Sequence, residues 1–219
     1  MNSMTENQPA TWKRSAMKML VGALVGGAAM AAALTVAGSD LLDAMGPSRV
    51  ALGAVGMVYA LMAALVGFGL AAPRAGAKLL NVGDADELRE ERRGMMRSVI
   101  TMAAIGIVLI LLALARGPGF AAGPVPPGVA MGLLLMAFSG GAIASWRWRN
   151  DFDELNHQLG LEGCCWAFCL SWALLTLWAA ADFLGWGVTL TPIDVVSTLA
   201  AMMLLGAFVA IGRRGMMTR

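Results

Sequence analysis

Residues 92–116 read RRGMMRSVITMAAIGIVLILLALAR, and this stretch decides the fold. Residues 98–115 carry no charge. A helix rises ~1.5 Å per residue and the hydrocarbon layer is ~30 Å thick, so such a run is long enough to cross it. Arg92, Arg93 and Arg97 crowd one end of the run, and Arg116 alone marks the other. Working outward, five more apolar stretches of similar length appear at 19–38, 50–72, 128–146, 163–184 and 193–212. If all six cross, Lys13, Arg14, Lys18, Arg74, Lys78, Arg89, Arg92, Arg93, Arg97, Arg147, Arg149, Arg213, Arg214 and Arg219 fall on one side. Only Arg49 and Arg116 fall on the other. Arginine and lysine are retained in the cytoplasm during insertion, so this asymmetry places both termini there.

The expected fold is therefore all-α: a polytopic membrane protein of six transmembrane helices. Residues 1–14 form a flexible cytoplasmic N-terminus, 15–212 the membrane domain and 213–219 a cytoplasmic tail. The composition agrees, since 58% of the 219 residues are hydrophobic, more than a soluble domain needs. The net charge of +2 conceals a basic face suited to anionic lipid, and direct nucleic-acid binding is not expected. A cleaved signal peptide is the rival reading of 13–38, with Val36-Ala37-Gly38 as the cleavage-like site. The apolar run is longer than the usual 7–15 residues, which favours a retained helix.

The connections on the outer side are short. Arg116–Pro127 is rich in Gly and Pro, cannot continue a helix and suits a turn. Any soluble function must then lie on the cytoplasmic side. Two segments there share the pattern Asp-x-Asp-Glu-Leu, one with Asp84, Asp86 and Glu87, the other with Asp151, Asp153 and Glu154. Each lies between two apolar stretches, which suggests a parallel repeat of 50–116 and 128–186. Each also fits a helix start, Asp84 with Glu87 and Asp151 with Glu154, as N-cap and N3 partner. Thr191-Pro192-Ile193-Asp194 fits the same role, with proline at the first helical position.

Small residues at four-residue spacing mark expected helix contacts: Gly22 and Gly26; Gly56, Ala60 and Ala64; Gly128, Gly132, Gly140 and Ala144. The same faces suit a homo-oligomer. Trp146, Trp148 and Trp166 are expected at the inner boundary and Trp186 at the outer one, with Trp172 and Trp178 packed between helices.

Asp182 follows a long uncharged run inside a span, so it is the one intramembrane functional candidate; its nearness to Trp186 favours an interfacial residue instead. Cys164, Cys165 and Cys169, with His157 nearby, invite a metal reading, but zinc-type C-x-x-C spacing is absent and buried free thiols are the plainer expectation. The seventeen methionines read as filling of an apolar interior. With one histidine and no nucleophile set, neither an enzyme nor a cofactor is expected.

Asp153-Glu154-Leu155, Leu159, Leu161-Glu162-Gly163 and Ala167-Phe168 lead straight into a membrane helix. This stretch resembles a group of small bacterial inner-membrane proteins. Their cytoplasmic loop reads approximately D-E-[LM]-x-R-R-I-Q-L-E-A before a spanning helix. The likeness covers about 150–212, and Asn156-His157-Gln158 stands where that group has arginines. The resemblance implies a bacterial inner-membrane location and no assigned activity. Members are often encoded beside a small helix-turn-helix regulator, which implies a cytoplasmic protein partner of that kind. The expected function is thus a non-enzymatic accessory or regulatory role, with Asp84, Asp86, Glu87, Asp151, Asp153, Glu154 and Glu162 facing the partner or capping helices. The alternative is a small transporter or channel using Asp182.

Overall fold

The computed structural model describes residue 35 and residues 38–72, 92–148 and 154–213. Six helices form in them: α1 Ser39–Met45, α2 Pro47–Ala71, α3 Arg92–Ala113, α4 Pro127–Trp148, α5 Glu154–Phe183 and α6 Pro192–Arg213. The five from α2 to α6 are long and apolar enough to cross a membrane. The chain is an all-α, multi-pass membrane protein. The apolar stretch 19–38 lies, apart from Thr35 and Gly38, outside the described residues, as do 73–91 with the first Asp-x-Asp-Glu-Leu motif.

Each long helix ends where its sequence stops supplying apolar residues or starts supplying glycine and proline. The seven-residue α1 was not legible as a helix within the short connection 38–49. Gly38 and Gly46, with φ of 82° and 74°, bracket it in a conformation that side chains with a Cβ resist. Pro47 then opens α2 at its first position. The Gly/Pro run after α3 makes the expected turn, tightened by two isolated bridges, Ala115 with Val125 and Gly117 with Phe120. Arg116 N–H donates to the Val125 carbonyl at 2.8 Å, and Phe120 N–H to Gly117 at 3.0 Å. This end of the molecule is called the loop end below, and the opposite one the arginine-rich end.

Two seams hold the helices. In the first, α2 meets α3 at glycine: a Cβ on Gly106 would lie 2.8 Å from the Ala60 nitrogen and from the Gly56 carbonyl oxygen. Such approach lets backbones touch, which is what binds helices where lipid removes any hydrophobic drive. In the second, α5 meets α6 where a Cβ on Gly206 would lie 2.7 Å from the Ala167 nitrogen. Gly163, across that seam, is looser, with its nearest neighbour 3.5 Å from an added Cβ. Gly206→Ala is therefore expected to cost ~1–3 kcal/mol and Gly163→Ala under ~1 kcal/mol, read from reversible unfolding in mixed micelles. Equal costs would show that the seam is not built as described.

α2 also packs on α6, and α4 packs on α3. Leu52, Tyr59, Leu109, Ala113, Met45 and Phe120 form the buried cluster, with Ile193, Val196, Ala200 and Leu204 of α6 against it. Tyr59 donates its hydroxyl to the Ala200 carbonyl at 2.9 Å, a bond between α2 and α6. Tyr59→Phe is expected to lose ~0.6 kcal/mol, the usual worth of such a bond within a bilayer. The same unfolding measurement checks it, and a loss above ~1.5 kcal/mol would mean the hydroxyl does more than this one bond.

Among the described residues, no atom of another helix lies within 4 Å of an added Cβ on Gly128, Gly132 or Gly140, on the face where the spacing marks a helix contact. Spacing alone cannot tell a filled seam from an open one. Trp172 is 66% exposed and does not pack between helices, because it projects away from the α6-facing side of α5. Trp178, by contrast, is half-buried. The three cysteines are exposed rather than buried, on the outward faces of α5.

Candidate functional site

At the arginine-rich end, α5 begins at Glu154, well before its apolar run starts at Gly163. The early start follows from composition: residues 154–162 contain Glu154, Asn156, His157, Gln158 and Glu162, but no proline and one glycine. Gln158 Nε2 donates to Glu154 Oε1 at 3.0 Å, an i,i+4 bond that stiffens the first turns. Glu154 also sits where a negative charge meets the positive end of the helix dipole. Two turns on, Glu162 Oε1 lies 4.0 Å from Arg213 Nε of α6. The Arg213 guanidinium also stacks over Trp166, 5.2 Å from the ring centroid. α3 and α4 are closed at the same end by Arg97 over Trp148, again at 5.2 Å. A guanidinium over an indole face contributes ~0.5–2 kcal/mol, depending on how dry the contact is. Two of the three tryptophans expected at that boundary, Trp148 and Trp166, are thus tied to its arginines.

The arm 154–162 carries exposed apolar residues as well as polar ones. Leu155 is 45% exposed and Leu161 60% exposed. At ~1.5 Å per residue, Leu155 stands ~12 Å before the apolar run and Leu161 ~3 Å before it. The sequence marks Leu155 and Leu161 only as part of the resemblance; their exposure appears only in the structure.

Asp182 lies at the opposite end of α5 from Glu154. Twenty-eight residues of helix separate them by ~42 Å, so they belong to different places. Asp182 Oδ2 accepts from the Leu190 N–H at 3.2 Å. Its carboxylate closes the turn between α5 and α6, which favours the interfacial role over the transport one. Asp84, Asp86, Glu87, Asp151 and Asp153 lie outside the described residues.

A second carboxylate stands nearby. Asp194 is 6% exposed and accepts from both the Thr191 backbone N–H at 2.9 Å and its hydroxyl at 2.7 Å. Asp194 N–H points back at Thr191 Oγ1 at 3.4 Å. This is the reciprocal cap read from Thr191-Pro192-Ile193-Asp194. Ser48 of α2 lies near the same carboxylate. Ser197 and Thr198 are buried one turn further along α6.

No protein-family model, curated protein or solved structure matches the chain. The site must be judged on its own chemistry. Among the described residues no three His, Cys, Asp or Glu side chains converge as they would to hold a metal ion. His157 is exposed on the arm and remote from every buried carboxylate. The described residues thus place a charged helical arm with exposed leucines at one end and hydrogen-bonded carboxylates at the other.

Proposed function

We propose that the chain is a non-enzymatic accessory or regulatory protein of the bacterial inner membrane, with six spans, cytoplasmic termini and a protein partner bound at its arginine-rich face. One observation carries this reading: α5 projects beyond its apolar run as a stiff helix bearing Leu155 and Leu161 exposed beside Glu154 and Gln158. Apolar side chains held out in water on a rigid element favour a partner that covers them. The resemblance over 150–212 adds the kind of partner, a small helix-turn-helix regulator, whose DNA contact would be its own. Arg97 with Trp148 and Arg213 with Trp166 would hold anionic lipid headgroups at the same face.

The test uses the full-length protein in detergent with tagged regulator candidates encoded beside it. Retention by the parent and loss with Leu155→Asp plus Leu161→Asp supports the reading. Equal retention, or none by either, ends it. Reporter fusions after Arg93 and Arg219 check the orientation, and both are expected in the cytoplasm.

A second reading, a small transporter or channel, draws on the buried Asp194 with Ser197, Thr198 and Tyr59 along one helix contact. Flux in liposomes that is abolished by Asp194→Asn, with Asp182→Asn unaffected, would favour it over the first.

A further inference from the structure

We infer that Cys165 and Cys169 of α5 form a two-sulfur site for a soft divalent cation that accepts linear coordination, the mercuric ion being the type. Free cysteine is among the most often buried side chains, packing as a small hydrophobe. Here Cys164, Cys165 and Cys169 lie close together on one helix, all exposed and none in a disulfide. Packing does not account for them, and their thiols are open to a ligand.

The helix sorts the three. Side chains four residues apart stand one above the other on a helix, whereas adjacent ones do not share a face. Cys165 and Cys169 therefore form a pair. Cys164 points about 100° around the helix from Cys165 and stands outside it.

Helix geometry also sets what the pair can hold. At this spacing the Cβ atoms are ~5–6 Å apart. A disulfide needs ~3.5–4.5 Å between them, so direct closure would strain the helix. A metal ion placed between the sulfurs, with bonds near the ~2.3 Å of zinc thiolates, spans ~4.6 Å and suits the gap.

The count of ligands selects the ion. Among the described residues no group of three His, Cys, Asp or Glu side chains could hold a metal. Glu162, one turn before Cys165, is turned to Arg213 at 4.0 Å. Zinc takes four ligands and is poorly served by two, whereas thiolates favour soft ions. Charge narrows the choice further. Both cysteines lie within the apolar run that begins at Gly163. A divalent ion displaces one proton from each thiol to solvent, forms two metal–sulfur bonds and leaves a neutral complex. A monovalent ion would leave a negative charge, which the hydrocarbon layer disfavours. Trp166, one residue from Cys165 and stacked with Arg213, keeps the pair within reach of the aqueous boundary. The inference is independent of the proposed partner, which is met by Leu155 and Leu161.

The test titrates the reduced full-length protein, in nanodiscs of zwitterionic lipid, with Hg2+ against rising 2-mercaptoethanol. Native mass spectrometry reads the metal bound per chain, and a thiol reagent reads the cysteines left free. The expected result is one Hg2+ per parent chain with two thiols protected, and the same for Cys164→Ser. Cys165→Ser and Cys169→Ser are expected to release the ion at roughly tenfold or more lower monothiol, because each loses a second thiol held at millimolar effective concentration. Retention by Cys165→Ser or Cys169→Ser equal to the parent's would overturn the pair. So would release by Cys164→Ser matching theirs, or an ion that bridges two chains. Zn2+ held as tightly as Hg2+ would overturn the linear coordination.

Discussion

Gly106→Leu should prevent α2 and α3 from holding together, lowering stability by ~3 kcal/mol or more in mixed micelles. The argument is geometric. Any side chain at 106 must start with a Cβ 2.8 Å from the Ala60 nitrogen and the Gly56 carbonyl oxygen. Both are backbone atoms of a packed helix, so no rotamer change relieves the overlap, and the helices must separate along their length. Overpacking of a tight interior costs ~1–3 kcal/mol where side chains can shift, and here they cannot. Separation also pulls apart Leu52, Leu109 and Ala113, which lie in the same buried cluster. Gly94→Ala is the control. It sits on the same helix with open space around it, and it should be neutral or gain up to ~1 kcal/mol from helix propensity. Matching unfolding curves for Gly106→Leu and the parent would remove the seam from the fold.

That contrast shows what the sequence could and could not reveal. The spans were legible because lipid imposes a length and a composition that nothing else in a chain imitates. Residues 98–115 were expected to cross, and α3 covers Arg92–Ala113. The Gly/Pro turn after α3 and the Thr191–Asp194 cap were legible too, since both depend on neighbours a few residues away. The glycine seams were only half legible. Gly56 and Gly132 carry the same four-residue spacing, yet the first touches backbone and the second touches nothing in the described structure. Spacing is local, whereas a seam needs a neighbour chosen by the whole fold. Asp182 shows the same limit: its depth was readable, but its bond to Leu190 depends on how the following turn folds back. The leucines on the arm of α5 were hidden for another reason. In a chain this apolar a leucine carries no signal until its surroundings are known, and only the position of Leu155 and Leu161 beyond the apolar run sets them apart.

Arg49→Ala should be the most damaging substitution of a polar residue, at ~3 kcal/mol, with Arg49→Lys restoring less than half. Arg49 lies in the first turns of α2, yet its guanidinium reaches the end of α3. Nη1 donates to the Ala115 carbonyl at 2.7 Å and to the Ala113 carbonyl at 3.2 Å. The Ala113 carbonyl ends the last turn of α3 and the Ala115 carbonyl follows it, so neither is an acceptor within the helix. A cation there meets the negative end of the dipole, worth up to ~2 kcal/mol when partly buried. Each charge-assisted bond contributes ~1.5–3 kcal/mol, and the group also lies over the Phe120 ring at 5.4 Å. These contributions overlap, so the total is set near 3 rather than at their sum. Lysine is shorter and its ammonium, despite three donors, lacks the guanidinium plane that lies over Phe120, so it keeps these contacts only in part. The same contacts explain how a positive charge persists on the minority side of the charge pattern. Its field acts on a helix terminus instead of on the solvent. An Arg49→Ala protein as stable as the parent would show that the loop end is held by apolar packing around Phe120 alone.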